Sequence, residues 1–256
     1  MITLTSAQLN AWIGLLIWPF ARTLALIATA PVTGNAQFPV TAKIGLALMI
    51  AVLVAPTLPA GAGFDPAGAS GLLLLARETL LGVGMGFAMR IVFTAIEAAG
   101  EVIGLQMGLG FAQFYDPLSS AQVSGTGQFL GLLATLVFLS LDGHLLLITT
   151  LAQSFQQVPA APAAGGMLLA QWGGMVMQAA VLMSLPLIAA LLITNAALAV
   201  LTRAAPQLNL FAIGFPITML VGFVGLLVML PHWVPTLERY FAAGFETALR
   251  YAGQAR

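Results

Sequence analysis

Residues 71–110 read GLLLLARETLLGVGMGFAMRIVFTAIEAAGEVIGLQMGLG, a stretch without a single proline. Its apolar pattern is helical throughout, and one helix of that length would run about 60 Å at 1.5 Å per residue, roughly twice the hydrocarbon core of a bilayer. Arg77, Glu78, Arg90, Glu97 and Glu101 interrupt it. The uncharged run between Glu78 and Arg90 is too short to cross a membrane, so an ordinary lipid-exposed span is excluded. Arg90, Thr94, Glu97 and Glu101 stand at i, i+4, i+7 and i+11, one polar stripe on one helix face. Charges so deep in an apolar segment face protein or water, pairing internally or with a neighbouring subunit. A membrane-edge helix whose charges snorkel to head groups is the competing reading.

Outward from this stretch the chain is still more apolar. Of its 256 residues 60% are hydrophobic and 6% charged, against roughly 25% charged in a soluble domain. A soluble globular class is thereby excluded. Uncharged runs at 1–21, 23–42, 44–64, 117–141, 143–202 and 204–237 each supply the roughly 20 apolar residues a span needs. The breaker cluster VPAAPAAGG at 158–166 divides the longest of them.

The expected fold is an all-α integral membrane protein of about six long hydrophobic helices in hairpins, with a mid-chain plug-like loop. The helices are expected near 7–30, 41–58, 71–103, 126–151, 172–203 and 207–231. A C-terminal amphipathic helix at 235–252 follows, with Leu237, Phe241, Phe245 and Leu249 on one face, suited to a membrane interface or a partner protein. Residues 1–10 lack a basic region of signal-peptide type, so the first segment is expected to be retained. Orientation is contradictory under the positive-inside rule: Lys43 and Arg203 fall on one side of a six-span model, and Arg239, Arg250 and Arg256 on the other.

Several function classes drop out. Eight basic and eight acidic residues sum to zero, leaving no footprint for nucleic acid. The absence of cysteine excludes disulfides, thiolate catalysis and Cys-ligated metals. His144 and His232 lie outside any HExxH or paired-carboxylate arrangement, and the single lysine, Lys43, belongs to no phosphate loop. No catalytic, cofactor-binding or metal residue is expected. Asp142-Gly143-His144 reads as a helix-end turn with a capping role, and Pro231-His232-Trp233 as an interfacial helix end.

Gly82 and Gly86, then Gly100, Gly104 and Gly108, recur every four residues, the spacing that lets helix backbones approach closely. Beyond them the helix dissolves into residues 106–127, QMGLGFAQFYDPLSSAQVSGTG. Irregular backbone survives in hydrocarbon only where protein buries it or water reaches it, so this segment is a candidate pore-lining or plugging element. An extramembrane loop dipping its Phe residues into the interface would read the same way. On the residues alone two functions stay open: a gate, and a secondary transporter using Arg90, Glu97 and Glu101 as a proton or substrate relay.

The run GLQMGLGFAQFYDP at 104–117 resembles the central signature of the FliR family, the R-type subunits of the flagellar type III protein export gate, related to the T-type subunits of virulence type III secretion systems. Trp18-Pro19, the run from Arg22 to Pro31, Lys43-Ile44-Gly45-Leu46, APTLP at 55–59, Gly143-His144 and RAAPQLNLFAIGFP at 203–216 follow in the family's order. The resemblance covers about residues 5–240 and is closer to the flagellar than to the injectisome branch; Asp142 stands where the family is expected to carry Asn.

The resemblance implies a non-enzymatic, cofactor-free, multi-pass subunit of the bacterial inner membrane and flagellar basal body. Its implied partners are P-type and Q-type gate subunits, other membrane subunits of the export apparatus, lipid, and unfolded flagellar proteins in transit, with no nucleic acid. It further implies a region 1–170 similar to the P-type subunit and containing the plug loop 106–127. Residues 171–256 would form a hairpin similar to the Q-type subunit plus the amphipathic tail, with Arg203, Pro206 and Gln207 in the hairpin's connection toward the cytoplasm.

The plug residues carried over are Met107, Phe111 and Phe114. Their chemistry agrees with a seal, since Met adapts to variable contours and Phe supplies water-excluding area. Gly104, Gly108 and Gly110 allow backbone movement, and Asp116-Pro117 favours a terminating turn. Arg90, Glu97 and Glu101 would then face a neighbouring subunit or the lumen.

Overall fold

Long apolar runs can satisfy their backbone groups within a membrane only as helices or closed barrels. The computed structural model resolves the choice to helices over the residues it describes, 6–57, 68–110, 125–156, 165–205 and 210–253. In chain order these are α1 (Ser6–Thr29), α2 (Val40–Val54), α3 (Ala69–Gln106), α4 (Gly125–Ser140), α5 (Gly143–Gln156), α6 (Gly165–Ala204) and α7 (Leu210–Gly253), with a 3-10 turn at Ala55–Thr57 after α2. No strand occurs among the described residues. α3, α6 and α7 are long and apolar enough to cross a membrane, and α4 with α5 adds a fourth crossing if the pair is one broken span.

Three boundaries differ from the reading of the sequence; the simplest is α6, which begins at Gly165 and not near 172, so that Gly165 and Gly166 of the expected breaker cluster lie in its first turn. The expected helix at 126–151 is two helices, because Asp142 takes a left-handed φ of 54°, a region that Asp enters more readily than most residues. Its carbonyl then accepts the N–H groups of Leu145 and Leu146 at 2.9 and 3.0 Å, opening α5 afresh. The helix-end turn at Asp142-Gly143-His144 therefore exists, and it caps through the backbone.

The third difference is α7, which runs unbroken through Pro216, Pro231 and Pro235. A proline in a helix interior is disfavoured by about 3 kcal/mol in water. At Pro216, within the uncharged part of α7, leaving the helix in an apolar medium would strand more backbone groups than the proline does. The amphipathic segment at 235–252 is thus the end of α7. Leu237 and Phe241 on its apolar face are buried within the protein, Phe245 and Leu249 are half-buried, and Glu238, Arg239, Glu246 and Arg250 stay exposed.

By packing, the chain forms two compact units, one of residues 1–91, 142–173 and 242–256, the other of residues 92–141 and 174–241. In the first, α1 lies against α3 at Gly82, beside the Arg22 carbonyl and Ala25, and at Gly86, beside the Leu26 carbonyl, Thr29 and Ala30. The Trp172 indole donates to the Ala88 carbonyl at 2.9 Å. The Tyr251 ring fills the notch left by Gly84, and its hydroxyl donates to the Leu80 carbonyl at 3.3 Å.

The core of the second unit is a trio of rings, Phe93, Phe138 and Phe241, with centroids 5.3–5.6 Å apart and two of the three pairs edge-to-face, the geometry aromatic quadrupoles favour. Gly100 lets α3 approach Thr126 and Gly127 of α4, and Gly225 of α7 receives Leu187 of α6. Units defined by packing need not follow a division by resemblance, so the boundary at 170/171 is a separate matter.

Candidate functional site at the end of helix α3

The last carbonyls of a helix lack intrahelical partners, and in apolar surroundings each needs another donor. At the end of α3 the account closes. The Met107 N–H donates to the Ile103 carbonyl at 2.9 Å, the Gly108 N–H to Leu105 at 3.1 Å, and the Leu109 N–H to Gly104 at 3.0 Å. With Gly108 at a φ of +84°, the last two bonds form a Schellman cap. The Gln106 carbonyl accepts from Asn195 Nδ2 of α6 at 3.5 Å. The Met107 carbonyl accepts from Thr218 Oγ1 of α7 at 3.2 Å, a hydroxyl that also reaches the Phe215 carbonyl at 3.0 Å.

Side chains complete the seat. A Cβ at position 108 would meet the Phe215 ring at 2.5–2.6 Å, and one at 222 would meet the Met107 side chain at 2.5–2.7 Å. Glycine at 108 therefore answers two demands, a left-handed φ and a ring in contact. Met107 is fully enclosed by its own chain.

The structure thus brings Met107, Gly104, Gly108 and Gly110 together at one helix end. Phe111, Phe114, Asp116 and Pro117 lie outside the described residues. Along the stripe, Arg90 and Thr94 are exposed and Glu97 and Glu101 half-buried. Glu97 rests against Gly131 of α4, where a Cβ would stand 2.9 Å from its Oε1. Arg203 is exposed in the last turn of α6, whereas Pro206 and Gln207 lie outside the described residues. No group of three potential metal ligands occurs among the described residues.

One constellation was not foreseen. In the first unit Arg22 of α1 pairs with Glu78 of α3, Nε to Oε2 at 2.7 Å, with side chains only 3% and 8% exposed. Its Nη1 donates to the Ser154 carbonyl at 2.9 Å and to Ser154 Oγ at 3.0 Å. That carbonyl belongs to the last turn of α5, where a cation is favoured by the helix dipole. The guanidinium also sits 4.2 Å from the centroid of the Phe155 ring, within cation–π range. The signal for this site was present: Arg22 is the single charge before Lys43, and an isolated charge in an apolar span requires a partner. Glu78, four residues before Gly82, shares the glycine face that meets α1.

Comparison with known proteins gives the family. The profile of the family described as Bacterial export proteins, family 1, matches residues 13–244. The flagellar biosynthetic protein FliR of Pectobacterium carotovorum subsp. carotovorum is 42% identical over 252 residues, covering 96% of this chain and 95% of that protein. FliR of Escherichia coli strain K12 is 39% identical over 253 residues, with 96% and 95% covered. FliR of Bacillus subtilis strain 168 is 31% identical over 237 residues, with 89% and 90% covered.

Proposed function

The chain belongs to family 1 of the bacterial export proteins, with the FliR flagellar biosynthetic proteins, as a multi-pass inner-membrane component of flagellar export, and from that premise we propose that it is a non-enzymatic subunit of the export gate. With P-type and Q-type subunits it builds a protein-conducting channel for unfolded flagellar proteins, and its segment after Gly110 is a plug that helps keep the channel closed. The secondary-transporter alternative draws no support from this family.

The observation that carries the reading is the completed end of α3. Every carbonyl from Ile103 to Met107 has a donor, so the chain enters the following segment from a fixed root on α6 and α7. Met107 seats that root, Gly104, Gly108 and Gly110 provide the turn, Phe111 and Phe114 obstruct the path, and Asp116-Pro117 ends the obstruction. Exposed Arg90, with Glu97 and Glu101 on the same stripe, meets a neighbouring subunit or the lumen. The region 1–170 corresponds to a P-type subunit. The region 171–256, containing α7 and all of α6 after its first six residues, joined through Arg203, Pro206 and Gln207, corresponds to a Q-type hairpin with its amphipathic tail.

The test is ion conductance of membranes carrying the assembled complex with Phe111→Ala and Phe114→Ala together. Leak is expected to rise several-fold while the complex still assembles. Unchanged conductance in an assembled complex would contradict the plug.

A further inference from the structure

α1 and the first part of α3 meet along two matched series. On α3, Glu78, Gly82 and Gly86 stand four residues apart on one face. Opposite them on α1 are the Arg22 guanidinium at Glu78, the Arg22 carbonyl with Ala25 at Gly82, and the Leu26 carbonyl with Thr29 and Ala30 at Gly86. Ala21, Ala25 and Thr29 themselves recur every four residues. The two glycine notches are therefore nearly interchangeable, since each receives a carbonyl and a small side chain. Sliding α1 by one turn, about 5.4 Å, would put Ala21 and Ala25 where Ala25 and Thr29 now sit. In an apolar medium helix contacts of this kind rest on close packing, with little hydrophobic force to prefer one seating.

The ion pair is not interchangeable. A one-turn slide would take Arg22 from Glu78, from the Ser154 carbonyl and from the Phe155 ring at once, leaving two charges buried without each other. We propose that Arg22 and Glu78 form a register lock, selecting one of two near-equivalent seatings of α1 on α3, rather than serving chiefly as a source of stability. Register selection is the best-attested use of buried polar groups. This inference stands apart from the plug and would survive its failure.

The chain has no cysteine, so an introduced pair reports alone. Thr29 lies with its hydroxyl 3.5 Å from the Val83 carbonyl, and Thr79, Val83 and Phe87 stand one turn apart on the exposed side of α3. Thr29→Cys is combined with Thr79→Cys, Val83→Cys or Phe87→Cys in the full-length protein, and disulfide formation is followed in native membranes. With Arg22 and Glu78 intact, pairing is expected at 83 and only in trace at 79 and 87. In an Arg22→Met, Glu78→Leu background of similar volume, pairing at 87 is expected to rise several-fold at wild-type protein levels. Glu78→Gln, which keeps the volume and an acceptor, should give an intermediate spread. Pairing confined to 83 in both backgrounds would overturn the lock. So would a doubly substituted chain that fails to accumulate while Glu78→Gln still pairs only at 83, because the ion pair would then be holding the fold together.

Discussion

Helices α5 and α3 each end in apolar surroundings, and the chain closes those ends by opposite means. The end of α5 is met by a charge, Arg22, itself neutralised by Glu78. The end of α3 is met by an amide, a hydroxyl and a glycine turn, none of them charged. A buried charge pair is close to all-or-none, because removing one member strands the other at full desolvation cost. Neutral hydrogen bonds are separable, and each can be lost for about 1 kcal/mol. A joint that must keep one geometry suits the first solution. A helix end whose contacts can be given up one at a time suits the second.

The largest effect expected on this comparison is at Arg22. Arg22→Ala should destabilise the protein by about 3–5 kcal/mol, since Glu78 stays buried without its partner. Thermal unfolding in detergent and accumulation in the membrane measure it, and Arg22→Met with Glu78→Leu should be markedly milder. If Arg22→Ala were no worse than the neutral substitutions below, the contrast between the two helix ends would vanish.

Gly108→Ala ranks next. A left-handed φ disfavours an alanine by about 1–2 kcal/mol, and contact with the Phe215 ring adds overpacking of about 1 kcal/mol or more. The same unfolding assay should show a total near 2–3 kcal/mol. A smaller loss would mean that the Phe215 ring moves aside. The smallest effect belongs to Thr218→Val, which removes one donor from the Met107 carbonyl without changing shape. Because Thr218 Oγ1 divides its proton between two carbonyls, the loss should be about 1 kcal/mol or less.

Much of this was legible beforehand where the signal is local. Charge-free runs and proline–glycine clusters mark α1, α2 and α3 to within a few residues, and four-residue glycine spacing anticipates the approach of α1 to α3. Three boundaries were not legible. The start of α6 falls on Gly165-Gly166, a pair that reads as a breaker. The break at Asp142 depends on a single φ inside a continuous apolar run, which hydropathy does not register. The continuity of α7 through Pro231 and Pro235 reverses a rule learned in water.

At the candidate site, Gly104 and Gly108 were singled out by their spacing and Met107 by the resemblance to the FliR family. Their partners were not, because Asn195, Phe215, Thr218 and Gly222 are far along the chain and join α3 only once α6 and α7 are packed. Arg22 and Glu78 are separated by 56 positions. The need for a partner was readable from Arg22 alone, but its identity required the phase of α3 against α1.

The central claim is that this chain works as one subunit of a heteromeric export gate. The direct measurement is purification of the tagged full-length chain from its native cells in mild detergent, with mass spectrometry of the proteins that stay bound. The account predicts P-type and Q-type export subunits in a single complex with this chain. A clean homo-oligomer, active in proton-coupled uptake and inactivated by substitutions at Arg90, Glu97 and Glu101, would contradict it.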